Sequence, residues 1–196
     1  MIPRAARCFG VLLATVSLLA GCGVRENDAV TVQVDPIVWK ACGEVDCSTI
    51  RVPLDRFGPK FASSTRIELR AYREISRSPG SRHIPLIIHP GGPGSDVRAA
   101  VAGARAALTP IVDDFDIYAL STRGTVDGTE FDCGDGLRDL RVIDVDSSAA
   151  ARFANDCVKR SAALVGTMGT RQSVEDLEDF RGALGFKTVR YLGWSY

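Results

Sequence analysis

Two short stretches hold groups able to do covalent chemistry. Residues 193–196 read Gly193-Trp194-Ser195-Tyr196, four of the five positions of the G-x-S-x-G pattern. In that pattern the serine sits on a strained turn between a strand and a helix, and its neighbours must be small for the turn to close. The turn lifts the hydroxyl above the sheet, where a histidine can accept its proton. A glycine two residues before a serine is common, so the pattern gains its weight from context. The second stretch is His89-Pro90-Gly91-Gly92-Pro93-Gly94-Ser95-Asp96. A phosphate-binding loop would need a Lys after its glycines, and the dinucleotide pattern G-x-G-x-x-G is absent. The loop suits an oxyanion hole instead, with an unhindered backbone N–H aimed at the developing alkoxide. Its partner donor would be the N–H of the residue after the nucleophile, Tyr196. A tight turn with no catalytic duty is the competing reading.

These groups need a scaffold, and the hydrophobic pattern supplies one. Ser48–Leu54 and Thr65–Tyr72 alternate apolar and polar residues, as two antiparallel strands with one wet face would. Pro85–Ile88 is apolar on both sides, as a central covered strand is, and it runs directly into the glycine loop. Ser95 or Asp96 can cap a helix through Leu108, with Val97, Val101, Ala104 and Leu108 on one stripe. Phe115–Leu120 is a second central strand, ending at Ser121-Thr122-Arg123-Gly124. Thr125–Asp146 reads as surface loop, and Ser148–Leu164 as a helix with Phe153 and Cys157 one turn apart. Ser173-Val174-Glu175-Asp176 has the form of a capping box, which predicts a helix starting there. Val174, Leu177, Phe180 and Leu184 would face the core. Glu175, Asp176, Glu178, Asp179 and Arg181 would lie mostly on the wet side. Gly185 is placed to end the helix in a left-handed conformation. Thr188–Leu192 is then the strand that delivers Ser195. Strands alternating with helices imply an α/β fold with a largely parallel sheet and antiparallel strands at its amino-terminal edge.

Other polar residues have quieter readings. His89 is expected to order the glycine loop, and His83 to be a surface residue before a strand. Asp176 and Asp179 are expected on a solvated helix face rather than as a carboxylate pair. The Asp-rich run from Asp127 to Asp146 lacks a calcium-loop pattern.

The chain has 24 Lys+Arg, 24 Asp+Glu and no formal net charge, which argues against a nucleic-acid partner held by a basic face. Arg4 and Arg7 precede the 13 uncharged residues Cys8–Ala20. That stretch is short for a membrane span, which takes about 20 apolar residues, and fits the core of an export signal. It leads to Leu19-Ala20-Gly21-Cys22, which resembles a bacterial lipobox. Residues 1–21 are therefore expected to be a cleaved signal, Cys22 to be lipidated, and residues 22–38 to be a tether. The domain would begin at residue 39, on the outer face of the cell membrane. An ordinary cleaved signal with a chance cysteine is the alternative. Without the signal the charge is −2. Cys42, Cys47, Cys133 and Cys157 remain, and an even number in an exported chain suggests two disulfides. Three pairings are open; proximity favours Cys42–Cys47 and Cys133–Cys157. A zinc site is disfavoured, since no C-x-x-C occurs and both histidines are remote in sequence. Neither metal nor cofactor is expected.

Together, Trp39-x-x-Cys42, Val52-Pro53-Leu54-Asp55, His89 to Ser95, Arg123-Gly124, Cys133 and the block from Ser173 to Tyr196 resemble a known family. It is the amino-terminal half of secreted actinobacterial α/β-hydrolases of the tripeptidyl aminopeptidase type, relatives of prolyl aminopeptidases. The resemblance implies an α/β-hydrolase fold, Ser195 as nucleophile, and an oxyanion hole from the Gly91-Gly92 turn and the Tyr196 N–H. It also implies a peptide, or a small amide or ester, as substrate. The family commonly carries Asp-x-Arg-Gly-x-Gly where this chain has Ser121-Thr122-Arg123-Gly124-Thr125-Val126, a segment expected to shape the sheet edge and the loops near it. In this fold the triad runs Ser, then acid, then His, and neither of the last two follows Tyr196 here. The 196 residues are thus expected to be the amino-terminal part of an enzyme, cut at the nucleophile turn and nearly inactive alone. A truncated, non-catalytic lipoprotein and one half of a split hydrolase are the rival readings.

Overall fold

The computed structural model describes residues 35–57, 65–92, 94–109, 111–125, 127, 129–134 and 147–195. Residues 1–21, expected to be an export signal, and Cys22, Pro93, Tyr196 and much of the Asp-rich run lie outside the described residues.

The described residues form a mixed sheet of six strands with three α-helices, compatible with an α/β fold. The strands are β1 (Lys40–Ala41), β2 (Asp46–Pro53), β3 (Arg66–Glu74), β4 (Ile84–His89), β5 (Phe115–Leu120) and β6 (Arg190–Gly193). The helices are α1 (Val97–Ala107), α2 (Ser147–Arg160) and α3 (Thr170–Ala183). In the sheet the strand order is β1-β2-β3-β5-β4-β6. The first three strands and the β3–β5 pairing are antiparallel, whereas β4 pairs in parallel with both β5 and β6. The segment after β5 is therefore interior to the sheet, between neighbours β3 and β4, and not at its edge.

Strand alternation divides the core between the two faces of the sheet. Leu86, Ile88, Ile117 and Ala119 pack with Val97, Val101 and Ala104 of α1 on one side. Ile87, Tyr118 and Leu120 pack with Phe180 of α3 on the other. Both faces of β4 and β5 are thus covered, which is why their sequences read as continuous apolar runs. α1 begins as expected, with the Asp96 side chain accepting from the Ala99 N–H at 2.8 Å. Cys42 and Cys47 are bonded to each other, as are Cys133 and Cys157.

α3 departs from expectation at three points. It starts at Thr170, a turn before the capping box, with Gly169 as N-cap and no side-chain cap. Tertiary contacts hold this extra turn: the buried Gln172 amide donates to Asp55 Oδ1 at 2.8 Å and accepts from the Arg56 N–H at 3.2 Å. Val174 is exposed at 56% although it was expected to face the core. Asp176 and Asp179 are buried, not solvated. The buried stripe runs through Gln172, Asp176, Asp179 and Phe180, so the helix is rotated to bring two carboxylates inward. Gly185 does end the element with φ +78°. α2 stops at Arg160, and residues 161–167 continue as turns.

Candidate active site

The route of the chain fixes where a site can form. From β4 the chain passes to β5 on one side and later crosses to β6 on the other. In open α/β sheets such a reversal leaves a crevice at the carboxyl ends of the strands, where ligands bind. A cavity of about 720 Å³ occupies that position. Its walls come from His89 and Gly94 at and after the end of β4, from Leu120 to Thr125 at and after the end of β5, and from Ser195 after β6. Met168, Ser173, Val174 and Leu177, around the start of α3, close the side.

Ser195 is exposed and holds φ at +63°, a left-handed conformation that favours glycine. A non-glycine residue held there is backbone strain, of the kind that clusters at functional sites. The preceding Trp194 N–H donates to the His89 carbonyl at 3.2 Å, which ties the Ser195 turn to the root of the glycine loop.

The loop itself is shaped by glycine. Gly91, Gly92 and Gly94 have φ of +81°, +118° and +98°. A Cβ on Gly92 would lie 2.8 Å from the Ser95 N, so that position has no room for a side chain. The two candidate donors differ in their engagement. Gly91 is buried and its N–H donates to His89 Nδ1 at 3.1 Å. Gly92 is exposed, and its N–H has no protein partner among the described residues.

His89 joins the loops. Because the Gly91 N–H can only donate, Nδ1 is unprotonated; the ring proton is on Nε2 and is given to Thr122 Oγ1 at 2.9 Å. Burial holds the His89 pKa below its ordinary value, in keeping with a neutral ring. His83 is exposed at the opposite end of β4, with Nδ1 3.0 Å from Asp116 Oδ1.

Beneath the cavity lies an ion cluster that pattern reading missed. Arg123 is 2% exposed and makes five hydrogen bonds, one for each N–H of its guanidinium. Two go to the Asp176 carboxylate at 2.8 and 2.7 Å, and the others to the carbonyls of Pro53, Leu54 and Thr167. Arg56, equally hidden, reaches Asp176 at 3.2 Å and Asp179 at 2.5 Å. Burial raises the Asp179 pKa, with the Arg56 hydrogen bond and charge opposing it. The cluster clamps the loop after β2, the loop after β5 and α3 together. The available sequence signal was the i,i+3 spacing of Asp176 and Asp179 on the Phe180 side of the helix.

An exposed strained serine, a free backbone donor and a cavity suit nucleophilic attack on a carbonyl. No family model matches the chain. It is 28% identical over 174 residues to a tripeptidyl aminopeptidase of Streptomyces lividans, covering 81% of this chain and 32% of that protein. It is 26% identical to the serine protease Hip1 of Mycobacterium tuberculosis, covering 100% of this chain and 42% of that protein. A carboxylesterase B of Mycobacterium tuberculosis is 30% identical, covering 89% of this chain and 39% of that protein. The chain thus spans about two-fifths or less of the length of these curated relatives, and their names support a hydrolase family.

Proposed function

We propose that these residues form the amino-terminal part of an exported, lipid-anchored serine hydrolase of the α/β-hydrolase fold, which releases short peptides or single residues from free amino termini. The observation that carries this reading is Ser195, held at φ +63° after β6 in one cavity with the end of the glycine loop. Ser195 Oγ attacks the carbonyl and expels the amine, and water then hydrolyses the acyl-enzyme. The oxyanion is received by the Gly91-Gly92 turn, through the free Gly92 N–H, together with the N–H of Tyr196. The relatives named as an aminopeptidase and a serine protease support a peptide substrate. Export and anchoring rest on Arg4, Arg7, the apolar Cys8–Ala20 and Cys22.

Neither histidine of the chain takes the base role in this reading. Both ring nitrogens of His89 are engaged, and His83 stands at the far end of the sheet. The 196 residues alone are therefore expected to turn over amides barely, since loss of a triad member costs orders of magnitude. The test is hydrolysis of tripeptide anilides by membranes of cells that make the whole enzyme of which these residues are the proposed amino-terminal part. Release is expected to need Ser195 and to vanish in Ser195→Ala; equal rates from the two strains would contradict the reading.

A further inference from the structure

Thr122 stands between two anchored residues just past the end of β5. Ser121 and Arg123 are each 2% exposed. The Ser121 N–H donates to the Arg70 carbonyl at 2.8 Å, and its hydroxyl accepts from the Arg70 N–H at 2.9 Å. Arg123 is held by the five hydrogen bonds of its guanidinium. The Thr122 carbonyl itself accepts from the Thr125 N–H at 3.3 Å and from the Thr125 hydroxyl at 2.7 Å. The backbone at residue 122 is therefore fixed, and with it the point from which the side chain acts.

The glycine loop needs such a fixed point, because glycines restrict their own backbone least of all residues. Gly91 is held at both of its polar groups. Its N–H donates to His89 Nδ1 at 3.1 Å, and its carbonyl accepts from the Ser95 N–H at 3.4 Å. A trans peptide is planar, with its C=O and N–H on opposite sides. The Gly91 carbonyl is turned in toward Ser95, so the Gly92 N–H of the same peptide is turned outward. The imidazole that holds the Gly91 N–H is in turn held by Thr122, whose Oγ1 accepts from Nε2 at 2.9 Å. Without that acceptor the Nε2 proton has no partner, a cost for a half-buried ring. The other tautomer sets Nδ1–H against the Gly91 N–H, donor against donor. Either way the hold on Gly91 is weakened, and the aim of the Gly92 N–H with it.

We propose that Thr122 is a positioning residue for the hydrolysis: through the His89 ring it holds the Gly91–Gly92 peptide so that Gly92, rather than Gly91, supplies the loop's oxyanion donor. The assignment rests on the hydrolase reading of Ser195 and deepens it.

The test compares, in the whole enzyme, Thr122→Val, which keeps the shape and removes the acceptor, with Thr122→Ser, which keeps the acceptor. With a tripeptide anilide, kcat is expected to fall about tenfold in Thr122→Val at unchanged KM, short of the roughly hundredfold or more that follows outright loss of an oxyanion donor. Thr122→Ser should recover most of that loss, which a role in packing alone would not give. Nitrogen NMR of enzyme isotopically labelled in its histidine rings, near neutral pH and with His89→Gln to assign the signal, reads the relay without turnover. The proton is expected on Nε2 in the parent, and the His89 signals are expected to move in Thr122→Val. A proton on Nδ1 in the parent would overturn the proposal even if no variant folds. So would His89 signals or a kcat left unchanged by Thr122→Val, a rise in KM alone, or a Thr122→Ser enzyme as slow as Thr122→Val. The two readings fail distinguishably. Anilide release that does not need Ser195 removes the hydrolase reading and this one with it. Ser195-dependent release at an unchanged rate in Thr122→Val removes only the role of Thr122.

Discussion

Three hydrogen bonds of His89 each reach a different part of the site. Its Nδ1 takes the Gly91 N–H, its Nε2 gives to Thr122, and its carbonyl takes the Trp194 N–H. Adjacency to the glycines is enough to read His89 as a residue that orders the loop. Its partner Thr122, 33 positions away, is brought to it by the pairing of β4 with β5, which no local pattern reports. The arrangement has a consequence for pH. A proton on Nδ1 would remove the acceptor of the Gly91 N–H, and burial already disfavours the charged ring. With the folded pKa below the ordinary 6.5, the unfolded chain binds the proton first as pH falls. The stabilisation from His89 is therefore fully present above about pH 6.5 and is lost as pH drops through the interval down to the folded value. Urea melts between pH 5 and pH 8 are expected to show an acid-side loss of stability that is reduced in His89→Gln; an identical pH dependence in both proteins would refute a buried His89 ring that resists protonation.

At the scale of elements, the periodic apolar stretches gave β2 to β6 and α1 with little error, because those segments bury the residues that hydrophobicity marks. Apolar periodicity turns the wrong face of α3 inward because the buried stripe of this helix is largely polar. Apolar periodicity ranks Val174 above Asp176, yet Asp176 is 2% exposed and Val174 is 56% exposed. What reverses the order is two arginines more than 50 residues upstream, Arg56 and Arg123, and no local pattern reports them. The clamp they form is sensitive to losing one member. Arg56→Met leaves Asp179 buried without its cation, a change that costs about 3–5 kcal/mol in comparable buried pairs. Chemical denaturation at pH 7 is expected to show a loss of that order. The loss should shrink towards acid pH, because the Asp179 carboxyl, already raised by burial, then takes up a proton and no longer needs a partner. A loss independent of pH would place the effect in packing rather than in charge.

For the whole molecule, the sheet route is what converts scattered motifs into one site. The glycine loop and Ser195 are about a hundred residues apart in sequence, and parallel pairing of β4 with β6 aligns His89 with Gly193. The antiparallel amino-terminal strands and the parallel centre were legible from residue patterns. The lateral order β5-β4-β6 was not, since hydrophobic periodicity says which strands are central and nothing about which neighbours which. That order puts the crevice at the end of β4 and brings in residues that no motif announced, Glu130 and Met168 among them. The central claim is that Ser195 is a nucleophile. Its most direct test is to treat membranes of cells that make the whole enzyme with a fluorophosphonate and to find the adduct by mass spectrometry on the peptide that follows Arg190. The account predicts a phosphonyl group on Ser195, blocked by prior exposure to a serine-reactive inhibitor. Recovery of that peptide unmodified, while other serine hydrolases in the same membranes are labelled, would contradict it.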